Sequence, residues 1–263
     1  MLNGTPTILV IGAGGLLGRH LLALGAYGPD RAACDVTSAR DRTRILETHR
    51  PRAVIYCAAQ AEVDACEHDA ASRDVNALAP AAWAREVELW YVSSNYVFSG
   101  PGPHAPHGPT DPLQAYGRQK LEGETGVLAA GGHVVRTGWL FGAGGTNFLS
   151  RLPQLLASGP VQAFADSAIQ PTWAGDLAAL LLSQPRGVTH AVGTEQTTFA
   201  GAARCLATLM GLQDRVSDHP GPMGVLPAPR PADARLTPAT LPGWSSRMGL
   251  LAKGAMLSAE AEG

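Results

Sequence analysis

With 263 residues, the chain can build one large domain, or a main domain with a smaller companion. A formal net charge of −2 gives no electrostatic ground for nucleic-acid binding, and a hydrophobic content of 45% supports a full core. No apolar run approaches the roughly 18 residues of a membrane span. The four cysteines, Cys34, Cys57, Cys66 and Cys205, lack CxxC or metal-ligand spacing; with no secretory leader in view, they read as reduced thiols of a cytoplasmic protein.

Thr7–Gly12 is a short β-branched apolar run, the pattern of a buried parallel strand. It runs through Gly-Ala-Gly-Gly into Leu16–Leu24, whose leucines recur at helical spacing. Arg31–Val36 is a second candidate strand, followed by a helix to about His49, which Pro51 ends. Arg52–Ala59 is the next buried strand. Helical stretches follow around Ala65–Ala71 and Asp74–Glu86, then a strand over Glu88–Ser94 that closes on small hydroxyl residues. A Pro/Gly/His-rich loop, Gly100–Leu113, precedes a helix from about Gln114 to Ala130, and Val134–Phe141 is another strand. Strands alternating with helices in this way imply a parallel sheet covered on both faces, a doubly wound Rossmann-type α/β fold. The division expected is a dinucleotide-binding part over residues 1–142. Residues 143–263, with shorter elements and a proline-rich tail at 220–242, form mainly a smaller substrate-binding cap, with segments returning to the core.

The glycines of the first turn stand at Gly12, Gly15 and Gly18, with Gly14 beside them. The first allows a tight turn, the second lets backbone N–H groups approach a pyrophosphate, and the third lets the helix pack closely on the strand. The second feature is Tyr116-Gly-Arg-Gln-Lys120. Positions four apart share a helix face, so phenol and ammonium point into one site, and a fixed ammonium favours the phenolate. Ser93 and Ser94 end the strand at the same sheet edge, where a hydroxyl can donate to a substrate carbonyl. His104 and His107 lack ligand spacing and read as surface residues, and no metal is expected. Trp83 and Trp90 suit the core.

These blocks, in order, resemble the extended short-chain dehydrogenase/reductases. Within them they are similar to the dTDP-4-dehydrorhamnose reductase-like group that acts on nucleotide-linked keto-sugars. The glycine turn looks like that family's GxxGxxG, and Ile55–Glu67, Asp74–Pro80 and Tyr91–Gly100 resemble successive family blocks. So do Asp111–Glu124, Arg136–Phe148, Ile169–Ala178 and Arg230–Leu236. The resemblance implies Ser94, Tyr116, Lys120 and Asn76 as catalytic residues, with Asn76 supporting the active-site helix and ordering a proton-relay water. It places Gly12, Gly14, Gly15, Leu16, Leu17 and Gly18 at the pyrophosphate, Ala58 and Ala59 along the adenosine ribose, and Asp35 at the adenine. Tyr116 and Lys120 also meet the nicotinamide side. Ser94, Asn95, Trp139, Asn147 and Arg230 fall to the substrate.

The implied activity is reduction of a nucleotide-linked, dTDP-type 4-keto-6-deoxysugar by NADPH or NADH. The partner is a small nucleotide sugar, not a nucleic acid or a membrane, and a homodimer is compatible with it. The alternatives are a non-catalytic, cofactor-binding regulatory subunit and a sugar-nucleotide epimerase or dehydratase. Three departures stand out. Asn95 replaces the family's aspartate, which would remake a sugar contact, and Gly138 replaces a serine, which would open space beside Trp139. Between Leu24 and Asp35 the usual second strand and loop are shortened, leaving little to choose between the two coenzymes. His20 stands where some relatives carry a metal-linked glutamate.

Overall fold

The computed structural model describes residues 8–223 and 226–261, with side chains to residue 253. Thr7, Glu262 and Gly263, on which parts of the sequence reading fall, lie outside the described residues. The first strand, β1 (Ile8–Ile11), runs into α1 (Leu16–Ala23), and α2 (Ala39–His49) leads to β2 (Ala53–Tyr56). A 3-10 turn, Ala65–Glu67, precedes a continuous helical stretch of α3 (Ala71–Arg73), a π-helical turn (Asp74–Leu78) and α4 (Ala79–Ala84). Next come β3 (Leu89–Ser94), α5 (Ala115–Ala129), β4 (His133–Thr137) and β5 (Leu140–Phe141). The remainder comprises α6 (Phe148–Ser158), β6 (Val161–Ala163), β7 (Thr172–Trp173), α7 (Ala174–Leu182) and β8 (Val188–His190). The chain then continues through α8 (Phe199–Leu209), β9 (Val216–Asp218) and α9 (Trp244–Ala261).

Five parallel strands form the main sheet in the order β1-β2-β3-β4-β8. Helices cover both faces because the strands are apolar on both. Val10, Ile55, Trp90 and Val135 pack under α1 and α7, while Ile11, Tyr56, Tyr91 and Val134 pack under α4 and α5. Trp83 and Trp90 are core residues, each with its indole N–H bonded to a carbonyl, of Val36 and Pro185. A separate apolar cluster joins α6, α8 and α9 beyond the main sheet.

The strand expected over Arg31–Val36 does not form. Asp30 turns the chain there, its carboxylate accepting the Ala33 N–H at 2.7 Å and its carbonyl the Cys34 N–H. The segment beside β1 is instead reduced to one bridge between Leu9 and Tyr27, with Val10 N–H donating to Tyr27 O at 2.7 Å. Val134–Phe141 also divides, because Gly138 and Trp139 leave the main sheet and β5 pairs with β7. His104 is less free than expected: it stacks on Phe98 with ring centroids 4.4 Å apart.

Candidate active site

The carboxyl ends of β1, β2, β3 and β4 open onto one cleft of about 550 Å³, within the usual range for small-molecule sites. At one end lies the glycine turn. A Cβ on Gly12 (φ +96°) would sit 2.5 Å from the Ala58 nitrogen, and one on Gly18 would sit 2.2 Å from Gly12 O. These two glycines are therefore required by close approach of backbone. Gly14 meets nothing within 4 Å and leaves the mouth open. The first intrahelical bond of α1 is Arg19 N–H to Gly15 O, so the N–H groups of Leu16, Leu17 and Gly18 remain as donors at the positive end of the helix. That donor set fits a dinucleotide pyrophosphate.

At the other end stand Ser94, Tyr116 and Lys120, all in the cleft wall. Burial pushes the Tyr116 phenol up to about 12, and hydrogen bonding with Ser94 partly offsets this. Burial likewise pulls the Lys120 ammonium down to about 7, against the opposing pull of Glu124. Lys120 Nζ donates to Val92 O at 2.7 Å and lies 4.0 Å from the centre of the Tyr91 ring. The expected lowering of the phenol by a fixed ammonium is not what sets Tyr116 here; desolvation dominates both groups. A phenol held protonated is suited to giving a proton, the requirement of a reduction.

Other expected residues are distributed as follows. Leu16, Leu17, Gly14, Gly15 and Ala59 line the cleft with Gly12 and Gly18, as do Asn95, Trp139 and Asn147. Asn147 is also the cap of α6, its side chain accepting Ser150 N–H at 3.1 Å and donating to Leu140 O at 3.0 Å. Asn95 is 7% exposed and its amide donates to Ala234 O at 2.9 Å, which makes it a strut to the C-terminal segment as well as a wall.

Four residues lie outside the cleft wall. Ala58 supports the glycine turn from behind, its N–H bonded to Ile11 O. Asp35 closes on the N–H and hydroxyl of Thr37. Arg230 is held by Asp64 and by Ala228 O, and its Nε has no partner among the described residues. Asn76 is fully buried in the π-helical turn. It accepts the Gln60 N–H at 3.0 Å and donates to Gln119 of α5 at 2.8 Å, so it positions the active-site helix without reaching the cleft. Ser93 is engaged by Glu124 at 2.6 Å, which leaves Ser94 as the serine available for chemistry.

Gly138 does not open space: a Cβ there would lie 2.8 Å from Gln170 O, so the Gln170 backbone fills that volume. His20 packs edge-on to Trp173 at 5.8 Å, and burial followed by the Arg19 charge lowers its pKa. Sequence reasoning missed Arg19, Cys57 and Glu62, which also line the cleft. Arg19 directly follows the last motif glycine in the first turn of α1, the one signal that marked it. Among the described residues no group of three or more His, Cys, Asp or Glu side chains could hold a metal ion, and no helix could cross a membrane.

A parallel α/β sheet carrying a glycine turn and a Ser–Tyr–Lys set in one cleft defines a dinucleotide-dependent oxidoreductase of the short-chain dehydrogenase/reductase type. Residues 6–243 match the RmlD substrate binding domain, and the chain belongs to that family. It is 36% identical over 248 residues to a probable dTDP-4,6-dihydroxy-2-methyloxan-3-one 4-ketoreductase of Streptomyces antibioticus, covering 85% of this chain and 84% of that protein. It is 37% identical over 235 residues to a dTDP-4-dehydrorhamnose reductase of Streptomyces griseus, covering 78% and 77% respectively. A solved dTDP-4-dehydrorhamnose reductase from Clostridium acetobutylicum superposes with a TM-score of 0.86 at 26% identity, over 95% of this chain and 99% of that one.

Proposed function

We propose that this protein reduces the ketone of a nucleotide-linked 4-keto-6-deoxysugar at the expense of NADPH or NADH. One observation carries the reading: Ser94, Tyr116 and Lys120 share a single cleft with a helix N-terminus whose N–H groups suit a pyrophosphate. The names of the Streptomyces relatives supply the substrate class. Residues 1–142 form the dinucleotide part in this reading, and residues 143–263 mainly the part that meets the sugar, in a cytoplasmic enzyme.

A reduced nicotinamide supplies the hydride when bound. Ser94 Oγ–H donates to the ketone oxygen and fixes its direction. As negative charge builds on that oxygen, Tyr116 transfers its phenolic proton to it, giving the alcohol. Lys120 orients the nicotinamide ribose and places a charge that steadies Tyr116 once it has given up its proton. The aromatic edge of Trp139, braced 4.6 Å from Phe199, walls the sugar away from water.

The test is a panel of dTDP-4-keto-6-deoxysugars mixed with NADPH or NADH, followed by loss of reduced-nicotinamide absorbance. Tyr116→Phe lowers turnover by about 10²- to 10⁴-fold while the coenzyme still binds. Turnover unaffected by that substitution, or coenzyme binding with no ketone consumed, overturns the proposal. Catalytic rather than net use of coenzyme indicates an epimerase or dehydratase instead.

A further inference from the structure

Three charged residues line the cleft: Arg19, Glu62 and Lys120. Lys120 lies deep, against Val92 O and the Tyr91 ring, and Glu62 repels phosphate. Among the described residues, Arg19 is therefore the one solvent-facing cation in the wall, and no carboxylate lies within ion-pair distance of it. Its guanidinium is nevertheless fixed at two points. Nη1 donates to Gly14 O of the glycine turn at 2.9 Å, and Nη2 donates to Gly144 O at 2.6 Å. Gly144 belongs to the loop between β5 and α6, where it adopts φ +73°, and a Cβ there would lie 3.2 Å from Arg19 Nη2. The loop and the guanidinium are fitted to each other.

We propose that Arg19 is a dinucleotide-binding residue. It presents its charge and remaining N–H groups to the pyrophosphate while pinning the Gly142–Asn147 loop against the glycine turn. A guanidinium has five N–H donors in a planar fork, so two carbonyl bonds leave three. A pyrophosphate over the N-terminus of α1 lies beside Gly14, the carbonyl that Arg19 already holds. Bonds from arginine to phosphate oxygens are charge-assisted and strong. The same side chain then couples coenzyme binding to the loop that ends in Asn147, the cap of α6 and a wall of the substrate end. This inference rests on the coenzyme reading given above.

The experiment measures the Kd of NADPH and of NADH for the full chain and for Arg19→Met and Arg19→Lys. Hydrogen–deuterium exchange over residues 142–147 is followed in each protein with and without coenzyme. Arg19 faces solvent, so thermal melting should show both variants folded. Arg19→Met is expected to weaken both coenzymes by about tenfold. Arg19→Lys should recover part of the affinity, because the charge remains. Coenzyme should protect the loop in the parent protein and in neither variant, because an ammonium is a compact point donor without the planar fork that spans both carbonyls. A loss confined to NADPH would assign Arg19 to the 2′-phosphate and overturn the proposal, as would unchanged affinity for both coenzymes. Failure of the parent chain to bind either coenzyme would remove the underlying function as well, which separates the two failures.

Discussion

Lys120 and Tyr116 sit four residues apart in one environment, and burial moves them in opposite directions because it always disfavours the charged form. With the phenol near 12 and the lysine near 7, only the lysine ionises in the working range. We expect kcat/KM for ketone reduction to break downward through a single ionisation near 7 as pH rises and the ammonium is lost. A pH profile flat to beyond pH 9 would remove Lys120 from that role. For stability the sign is reversed. Between about 7 and 10.5 the unfolded chain holds a proton that the folded chain releases, so Lys120 contributes more stability as pH rises through that window.

Asn95 offers a second test at this scale, because its amide donates to Ala234 O and an ionised carboxylate has nothing to donate. Asn95→Asp should cost about 1–3 kcal/mol at neutral pH. The gap in thermal stability from the parent should narrow as the medium is acidified and the carboxyl regains its proton. A gap independent of pH would show that the strut is not the cause.

Among elements, α5 carries the site and is tied down on its inner side. Glu124 accepts Ser93 of β3 and both forks of Arg136 of β4, at 2.6 to 2.8 Å, and Arg136 lies over Phe98. The ion pair is almost fully buried, so removing one partner strands the other charge. Arg136→Ala is expected to cost about 3–5 kcal/mol in denaturant unfolding, whereas Arg73→Ala, which breaks an exposed pair with Glu122, should cost under about 1 kcal/mol. The extent of α5 was legible from sequence, Gln114–Ala130 expected against Ala115–Ala129 found, because a long helix with a clear start outweighs local ambiguity. The strand at Arg31–Val36 misled because short apolar runs carry no period. Its outcome was decided by a turn at Asp30 that propensity does not reveal. Asn76 was expected among the catalytic residues, but the π-helical turn, which has no sequence signature of its own, aims it at Gln60 and Gln119 and not into the cleft wall. Asp35 and Arg230 were read from position in a motif, and that position does not reveal their local partners, Thr37 for Asp35 and Asp64 for Arg230.

Across the whole molecule, the C-terminal segment is held by contacts distant in sequence. His104 N–H donates to Arg235 O, Asn95 holds Ala234, and His190 at the end of β8 meets Thr237 O at 3.0 Å. His190 is fully buried, and that burial lowers its pKa to about 4. Between about 4 and 6.5 the unfolded chain takes up a proton that the folded chain refuses. The stability due to neutral His190 is therefore complete above 6.5 and is lost as pH falls through this window, by at most about 3 kcal/mol. Melting temperature should fall from pH 6.5 to 4.5 in the parent and much less in His190→Phe. An equal fall in both would place the acid sensitivity elsewhere.

Gly138 lies against the Gln170 carbonyl, and the Gln170 side chain in turn grips Leu236 through both of its backbone groups. A serine at position 138 would thus press on the Gln170 carbonyl, and through Gln170 on the Leu236 segment. The glycine and its neighbour have become mutually dependent. A side chain at position 138 therefore needs the Gln170 backbone itself to shift, and exchanging the Gln170 side chain alone would not make that room.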